Sequence, residues 1–427
     1  MTATYHFLES HLKGTSLKDV IFAALQSVIH RHPVLSLSIL DEESLTPSFI
    51  RLREINLEEV VCFQKTGHDK AIDSLVEIAH RKPFEHLGLL PLWRMIVIER
   101  TSSETFCDRV VDIGFFWHHV IGDGDSGVTF HHDLIQAIQS SFDKKDISPI
   151  VIPPKQDLLP PLEDAVPLSL SFWFKLKTLF KVLFPSKPDP SLWTGSLIRA
   201  EDNTTHLRTL FLTPTLVDGL RTICREHKIT ITSLLLVVIA RVLCTMYPET
   251  SHFTSKTAIS LRRFATVGRG EMVAYVTSLR HYFSSKSERG FIRCRGDFSW
   301  NAVKEARKCI LDTTATSKNQ SIALLKYLHK PMEWFHKQPG MKRPDSFEIS
   351  NLGLVEVDDG SVQMKRLLFS QSSNVIGPAY VFSIVTLRGD EMAIALTWQE
   401  NIVTADSAEN LLSGLQAELE RLLKATE

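Results

Sequence analysis

The chain has 427 residues, with 48 lysines and arginines against 49 aspartates and glutamates, so its net charge is −1 at pH 7. Apolar residues make up 44% and charged residues 23%, a composition typical of folded globular proteins that excludes wholesale disorder. The length predicts two or three domains, and the balanced charge offers no basic excess that would indicate nucleic acid as a partner.

The first half of the chain alternates between helical and strand patterns. Its predicted elements are, in chain order, a helix over 16–32, a strand over 35–40, a helix over 69–80, and strands over 91–99 and 109–117. In the first helix, Ser16 and Asp19 match a capping box, apolar residues recur at helical spacing, and Pro33 ends the pattern. The last strand leads directly into His118 and His119.

Residues 148–203 have a different composition, because prolines crowd this stretch as they do in crossovers and linkers. Inside it, residues 171–184 form a strongly apolar segment with three lysines. Two hypotheses fit this segment: a peripheral helix that contacts a membrane surface, or a helix that packs across the body of the protein, which is our expectation. We therefore divide the chain into a first lobe over 1–150, a linker over 151–203 and a second lobe over 204–427.

The second half again mixes helices and strands. Its predicted elements are a helix over 213–227, a helix over 233–246, a strand over 258–262, a hairpin of strands over 380–387 and 392–398, and a helix over 407–424. Thr213 and Pro214 suit the N-cap and first position of the first helix, and Thr232 is the expected N-cap of the second, which must bury Arg241 on most sides. The fold class is therefore mixed α/β, in two comparable lobes.

The cysteines and the absence of a targeting pattern bear on the compartment of the protein. Six cysteines, at positions 62, 107, 224, 244, 294 and 309, lie more than ten residues apart. This spacing contains no zinc-finger pair and is too sparse for a secreted disulfide framework, so we interpret them as isolated thiols in a reducing compartment. Because we find neither a signal-peptide pattern nor a transmembrane run, we expect a cytoplasmic protein.

The sharpest local signal is the stretch from Trp117 to Gly124, Trp-His-His-Val-Ile-Gly-Asp-Gly. If the strand continued through it, alternation would place His118 and His119 on opposite faces, with His119 in the row of Trp117. Rings that point in opposite directions do not share a metal ion, and no Glu or Cys at ligand spacing completes a zinc site. A histidine at a strand end beside a Gly-Asp-Gly turn is a better candidate for a general base.

This stretch resembles the His-His-x-x-x-Asp-Gly signature of an acyltransferase superfamily that includes chloramphenicol acetyltransferase relatives, plant BAHD enzymes, peptide-synthetase condensation domains and alcohol acetyltransferases. All seven positions fit, from His118 to Gly124. Residues 25–35, 259–263 and 347–353 are also similar to segments of these enzymes, in the same order. The plant Asp-Phe-Gly-Trp-Gly motif is absent, so the chain is most similar to the fungal-type alcohol O-acetyltransferases. The start of the chain is short for the usual leading strand of the family.

The resemblance implies two chloramphenicol-acetyltransferase-like lobes with a tunnel between them, and a monomer that needs no metal and no permanently bound cofactor. His119 would be the general base, with His118 and Gly124 in supporting roles. Asp123 would turn away from the histidine and pair with an arginine of the second lobe. The candidates for that arginine are Arg262 and, as the alternate, Arg263. Asn351 would either donate to a substrate or hold the strand that joins the lobes.

The function implied is acetyl transfer from acetyl-CoA, or from another acyl-CoA, to a hydroxyl of a small apolar alcohol of secondary metabolism. The row leading to His119, namely Val111, Ile113, Phe115 and Trp117, predicts that an apolar acceptor approaches along this face. Two alternatives stay open: an acyl donor bound to a carrier protein, and a condensation-like binding protein without catalysis.

A serine hydrolase is a third, weaker hypothesis. Residues 124–127, Gly-Asp-Ser-Gly, match a protease nucleophile loop, but position 128 is Val and no Gly-x-Ser-x-Gly elbow occurs. We expect Ser126 to cap a helix over 127–142 instead.

Overall fold

The computed structural model describes residues 1–8, 15–66, 71–100, 108–184, 189–201, 203–268, 270–286, 290–328, 330–358 and 360–425. The strands among them are β1 (Thr2–Leu8), β2 (Leu37–Leu40), β3 (Ser48–Arg51), β4 (Ile55–Asn56), β5 (Val61–Thr66), β6 (Trp93–Arg100), β7 (Asp108–Trp117), β8 (Ile150–Val151), β9 (Thr205–Leu212), β10 (His252–Ser260), β11 (Val276–Ser284), β12 (Phe347–Val355), β13 (Val362–Leu368), β14 (Tyr380–Leu387) and β15 (Met392–Gln399).

The helices of the same residues are α1 (Leu17–Arg31), α2 (Leu57–Val60), α3 (Ala71–Arg81), α4 (Gly124–Gln139), α5 (Leu162–Ala165), α6 (Phe172–Leu183), α7 (Pro214–Glu226), α8 (Ile231–Met246), α9 (Trp300–Thr314), α10 (Pro331–His336) and α11 (Ala405–Lys424). Short 3₁₀ turns occur at Pro33–Ser36, His119–Ile121, Arg262–Phe264 and Ser321–Tyr327.

The first lobe is built on a five-stranded sheet with the order β13-β1-β7-β6-β5. All neighbours in it are antiparallel except the parallel pair β5 and β6. One face of β7 packs against α4, where the rings of Phe115 and Phe130 stack with their centroids 3.6 Å apart. The edge strand β13 comes from the second half of the chain, so the chain crosses between lobes after residue 355.

The second lobe is built on a six-stranded sheet with the order β11-β10-β12-β14-β15-β9. Its central hairpin, β14 and β15, is buried on both faces because the two faces cover different cores. Val385, Ala393 and Ala395 join the core of the first lobe, whereas Ile384 and Ile394 pack against α7, α8 and α11. The hairpin thus lies between the two cores, which agrees with the predicted mixed α/β fold of two lobes.

Most of the predicted elements are present. The capped helix at Ser16, the strands before His118, the helix at Thr213, the hairpin and the terminal helix are confirmed. The strand predicted over 35–40 is shorter, because Pro33 opens a 3₁₀ turn through Ser36 and the strand starts at Leu37. The predicted start of the second helix, at Asp69, lies outside the described residues.

Two predicted helix caps were wrong by two or three residues. Thr230, and not Thr232, caps α8, since its hydroxyl accepts from the Ser233 amide and the Ser233 hydroxyl bonds back to the amide of Thr230. In the same way, Asp123 caps α4 and Ser126 is its reciprocal partner three residues later. In both helices the residue that can form the reciprocal capping box takes the N-cap.

The expectation that the segment over 171–184 packs across the body of the protein was wrong. It forms α6, capped by Ser171, and none of its residues is buried. The large apolar side chains Phe172, Trp173 and Val182 are exposed by 71%, 75% and 70%. So large an exposed apolar surface on one helix is unusual for a folded protein.

The interpretation of the cysteines as isolated thiols was wrong for one pair. Cys244 on α8 and Cys294 form a disulfide, with their Cα atoms 5.4 Å apart and a separation of fifty positions in the sequence. Cys62, Cys224 and Cys309 are free, and Cys107 lies outside the described residues. Arg241, one turn before Cys244, is buried as predicted and pairs with Glu418 of α11 at 2.8 Å.

Within the described part of the chain, no single helix is long and apolar enough to cross a bilayer, and only α7 and α8 together, bent by 102°, pass by length and composition.

Candidate active site

The motif occupies the turn between β7 and α4. The strand ends at Trp117, His118 is still extended, and residues 119–121 form a 3₁₀ turn before α4 starts at Gly124. His119 therefore does not continue the alternation of the strand, and its predicted place in the row of Val111, Ile113, Phe115 and Trp117 was wrong. Both histidines are exposed at this turn.

The row itself is core and not a substrate surface. Val111, Ile113 and Phe115 are 0% exposed and pack against the apolar face of α4. The Cβ that a side chain at Gly127 would need lies 2.6 Å from the Trp117 ring, so this helix approaches the strand closely. The predicted approach of an acceptor along this face was thus wrong, because α4 covers it.

The imidazole of His119 is oriented by one backbone carbonyl. Its Nδ1 lies 2.9 Å from the carbonyl oxygen of Gly122, which also accepts from Nε1 of Trp117 at 2.9 Å. A carbonyl only accepts, so Nδ1 must carry the proton in the neutral ring and Nε2 keeps its lone pair. Nε2 has no hydrogen-bond partner among the described residues, which leaves it available to take a proton.

His118 is held differently. Its Nδ1 accepts from the Val120 amide at 3.3 Å, and its ring meets the Phe84 ring edge to face at 5.9 Å. Partial desolvation of the ring, and secondarily the neighbouring His119, lower the pKa of His118, so it is neutral around pH 7. The two Nδ1 atoms bind separate backbone groups of the turn. Within the described ranges, no group of three or more His, Cys, Asp or Glu residues is arranged to hold a metal ion.

The ion pair expected between Asp123 and Arg262 is present. Nη2 of Arg262 lies 2.7 Å from Oδ1 of Asp123, and both side chains are almost fully buried. Arg262 lies on the 3₁₀ turn after β10 and not on the predicted strand over 258–262, which ends at Ser260. The alternate, Arg263, is exposed and lies over the Phe264 ring. Asp123 points toward the second lobe, so it does not orient His119 as the carboxylate of a triad would.

The second lobe also binds this turn through its backbone. The amide of Tyr275 donates to Oδ2 of Asp123 at 3.2 Å, and the amide of Asp123 donates to the carbonyl of Val273. Ser126 completes the cluster, since its hydroxyl donates to Val273 and accepts from Arg262 at 3.0 Å. Ser126 is 0% exposed and bonds no histidine of the described ranges, so the hydrolase hypothesis finds no support in this geometry.

Gly124 and Asn351 belong to the joint between the lobes. A Cβ at Gly124 would lie 2.6 Å from the end of the Leu352 side chain, so a larger residue there would displace this contact between α4 and β12. The Asn351 side chain donates to Thr232 at 3.1 Å and accepts from the Gly353 amide at 2.8 Å. The Asn351 amide therefore ties β12 to the start of α8 within the second lobe.

Two contacts at this site were not predicted from the sequence. Trp117 was assigned only to the apolar row, yet its indole N–H shares the carbonyl that orients His119. Thr232, which was expected to cap α8, instead accepts from Asn351.

A cavity of about 500 Å³ opens between the lobes at α3, β1, β9 and β13, but the two histidines are not among its lining residues.

Replacing Trp117 with phenylalanine is expected to lower the turnover number roughly three- to tenfold, because one hydrogen bond of about 0.5–1.5 kcal/mol no longer fixes the Gly122 carbonyl. If His119 is the base that the motif predicts, the KM values should stay within twofold, since Trp117 contacts the carbonyl that orients this histidine. Steady-state kinetics with the acyl donor that the motif predicts measure both.

A matched control is Trp93→Phe, because the indole of Trp93 also donates to a carbonyl, that of Leu35, at 2.8 Å in the core of the same lobe. This control should lower the melting temperature and leave the turnover number unchanged. Equal losses of turnover in the two variants would show that Trp117 is only a packing residue.

Comparison with known proteins gives a consistent result. The sequence model of a family described as alcohol acetyltransferase matches residues 5–419. A probable alcohol acetyltransferase of Aspergillus fumigatus is 25% identical, and the alignment covers 94% of this chain and 90% of that protein. A probable alcohol acetyltransferase of Fusarium pseudograminearum is 24% identical, with 97% and 88% covered.

Solved structures show the same fold. The trichothecene 15-O-acetyltransferase of Fusarium sporotrichioides superposes with a TM-score of 0.64 at 15% identity, covering 98% of this chain and 89% of that one. The condensation domain of the monacolin K polyketide synthase superposes with a TM-score of 0.60 at 12% identity, with 99% and 92% covered. Both are of the chloramphenicol-acetyltransferase-like class, as expected from the motif.

Proposed function

This chain belongs to the alcohol acetyltransferase family, and we propose that it transfers the acetyl group of acetyl-CoA to the hydroxyl of a small apolar alcohol, with His119 as the general base. The observation that carries the proposal is the contact of His119 Nδ1 with the Gly122 carbonyl, which leaves Nε2 as an acceptor on an exposed turn, without a partner in the part of the chain that the structure describes. A base must reach its substrate with the correct nitrogen, and this tautomer provides it.

The reaction then follows from that nitrogen. Nε2 of His119 takes the proton of the alcohol as its oxygen attacks the thioester carbonyl. The tetrahedral oxyanion collapses, the carbon–sulfur bond breaks, and the leaving CoA thiolate recovers the proton from His119. General-base assistance contributes about 10²–10⁴-fold, and positioning of the two substrates supplies much of the rest.

Asp123 has a positioning role in this proposal. Its carboxylate anchors the N-terminus of α4 and binds Arg262 and the Tyr275 amide of the second lobe. Because α4 follows His119 by only a few residues, this anchor fixes where the imidazole lies relative to the interface of the lobes. Substrates that enter between the lobes would meet His119 in a constant geometry.

The experiment that tests the activity incubates the chain with acetyl-CoA and a panel of alcohols and follows the release of free thiol. Release that depends on the alcohol supports the proposal. Turnover with a carrier-protein thioester but not with acetyl-CoA would show that the acyl donor is bound to a carrier protein. Absence of turnover with every donor and alcohol would favour a binding protein, although the complete motif counts against loss of catalysis.

The acceptor is expected to be apolar. With the strand row covered by α4, this expectation depends on the apolar groups at the turn itself, Val120, which is 43% exposed, and the ring of Phe84 against His118. Buried hydrocarbon contributes about 25 cal/mol per Å², whereas a polyol would leave hydroxyls unpaired beside these groups. At fixed acetyl-CoA, a hydrophobic alcohol should therefore compete at least about tenfold better in kcat/KM than a polyol of similar size.

The variant Val120→Ser tests the exposed apolar residue at the turn. Its matched control is Leu45→Ser, which alters an exposed apolar residue on the β2–β3 connection. Only the change at Val120 should narrow the preference for the hydrophobic alcohol. A preference for the polyol in the unaltered protein would contradict the apolar class.

A further inference from the structure

The most unusual surface of the molecule is the outward face of α6. Phe172, Leu176, Leu179 and Leu183 follow one another at the i, i+4, i+7, i+11 spacing and so form one stripe along the helix. Their exposed fractions are 71%, 43%, 53% and 62%. A stripe of this kind normally faces a core, but here it faces away from the protein.

The side of α6 that faces the protein confirms this orientation. Among residues 172–183, only Phe174 and Thr178 are half-buried, and at about 100° per residue they lie on the side of the helix opposite the stripe. The start of the helix is fixed to the second lobe: the Ser171 amide donates to the Asn319 side chain at 2.8 Å, and the Asn319 amide donates to the Ser169 carbonyl at 2.7 Å. The apolar stripe is therefore presented outward by a helix that is anchored at one end.

The charge around the stripe indicates what covers it. At about 100° per residue, Lys175 lies beside the stripe, whereas Lys177 and Lys181 lie farther round the helix, toward the side of Phe174 and Thr178. Between Asp164 and Asp189 the sequence contains four lysines and no aspartate or glutamate. A second copy docked through the same stripe would bring lysines against lysines, which disfavours a symmetric dimer there.

We propose that α6 docks the protein on the surface of an anionic lipid bilayer. The helix would lie in the plane of the interface with Phe172, Leu176, Leu179 and Leu183 among the acyl chains, while its long lysine side chains extend to the lipid phosphates. Trp173, which is 75% exposed beside the stripe, has the amphipathic ring that prefers the headgroup level. This inference goes beyond the proposed reaction, and it does not depend on it.

Flotation of the full chain with vesicles tests the proposal. We expect binding to vesicles of about three parts phosphatidylcholine to one part phosphatidylserine, and at least about tenfold weaker binding to phosphatidylcholine alone, because each lysine near an anionic surface contributes about fivefold in affinity. Raising the salt concentration should weaken the first interaction and leave the second unchanged. Failure to bind the anionic vesicles would overturn the proposal, whatever the result of the acetyl-transfer assay.

The variant Leu176→Glu/Leu179→Glu should bind the anionic vesicles at least about tenfold less and keep its melting temperature, since both side chains already face water. The matched control is Leu45→Glu/Leu89→Glu, which places the same charges at two exposed leucines outside α6. Equal binding by the two variants would contradict a role of the stripe. The unaltered protein could instead be a dimer in lipid-free solution. If the α6 variant were a monomer while the control variant stayed dimeric, the stripe would bind a second copy of the chain, and the lipid proposal would be overturned.

Discussion

Replacing His119 with alanine is expected to lower the turnover number at least about 100-fold, because the group that takes the alcohol proton is removed. The protein should fold normally, since the ring is exposed and its hydrogen bond among the described residues is to the Gly122 carbonyl of its own turn. Thiol release under saturating acetyl-CoA measures the loss, and the melting temperature and circular dichroism report the fold.

The matched variant is His118→Ala, which removes the neighbouring imidazole. This ring lies against Phe84 and accepts from the Val120 amide, so its loss should affect packing more than chemistry. We expect a lower melting temperature and a turnover number within about tenfold of the unaltered protein. If His118→Ala abolished turnover in a stable protein while His119→Ala retained it, the two roles would have to be exchanged.

The sequence predicted the architecture well because periodicity and caps are local properties. The strand that ends at Trp117 and the helices at Ser16 and Thr213 follow from patterns that one segment carries by itself. The contact between Asp123 and Arg262 joins residues far apart in the sequence, and only the resemblance to a known family pointed to it. The hydrophobicity and charge of the sequence alone do not show which arginine pairs with Asp123.

Other features depend on tertiary contacts that leave no local trace. The position of His119 could not be derived from alternation, because the strand gives way to a 3₁₀ turn before it. The pairing of Cys244 with Cys294 depends on where the loop at residues 293–297 crosses α8. The apolar composition of α6 is visible in the sequence. The arrangement of apolar residues around a helix does not show whether they pack against the protein itself or against a lipid bilayer.

Replacing Asp123 with asparagine should lower both stability and activity. Oδ1 accepts from Arg262 and the Ser126 amide, and Oδ2 accepts from the Tyr275 amide, so either orientation of an asparagine places its NH₂ group against a donor. A buried arginine left without its partner costs roughly 3–5 kcal/mol. We expect this loss in the free energy of unfolding, measured by urea titration, together with a large loss of turnover as the turn that holds His119 loses its anchor.

Two further variants separate this anchor from a direct part in the chemistry. Asp125→Asn alters the neighbouring carboxylate, which is partly exposed and lies 3.4 Å from Nε of Arg262, and it should change the free energy of unfolding by less than about 1 kcal/mol. Asp123→Asn combined with Arg262→Met removes the buried arginine together with its buried carboxylate and leaves only the partly exposed Asp125 carboxylate, so its loss of stability should be smaller than the sum of the single losses. Because both partners are then absent, the turn stays displaced and turnover should not recover. Loss of turnover in Asp123→Asn with an unchanged free energy of unfolding would instead place the carboxylate in the reaction itself.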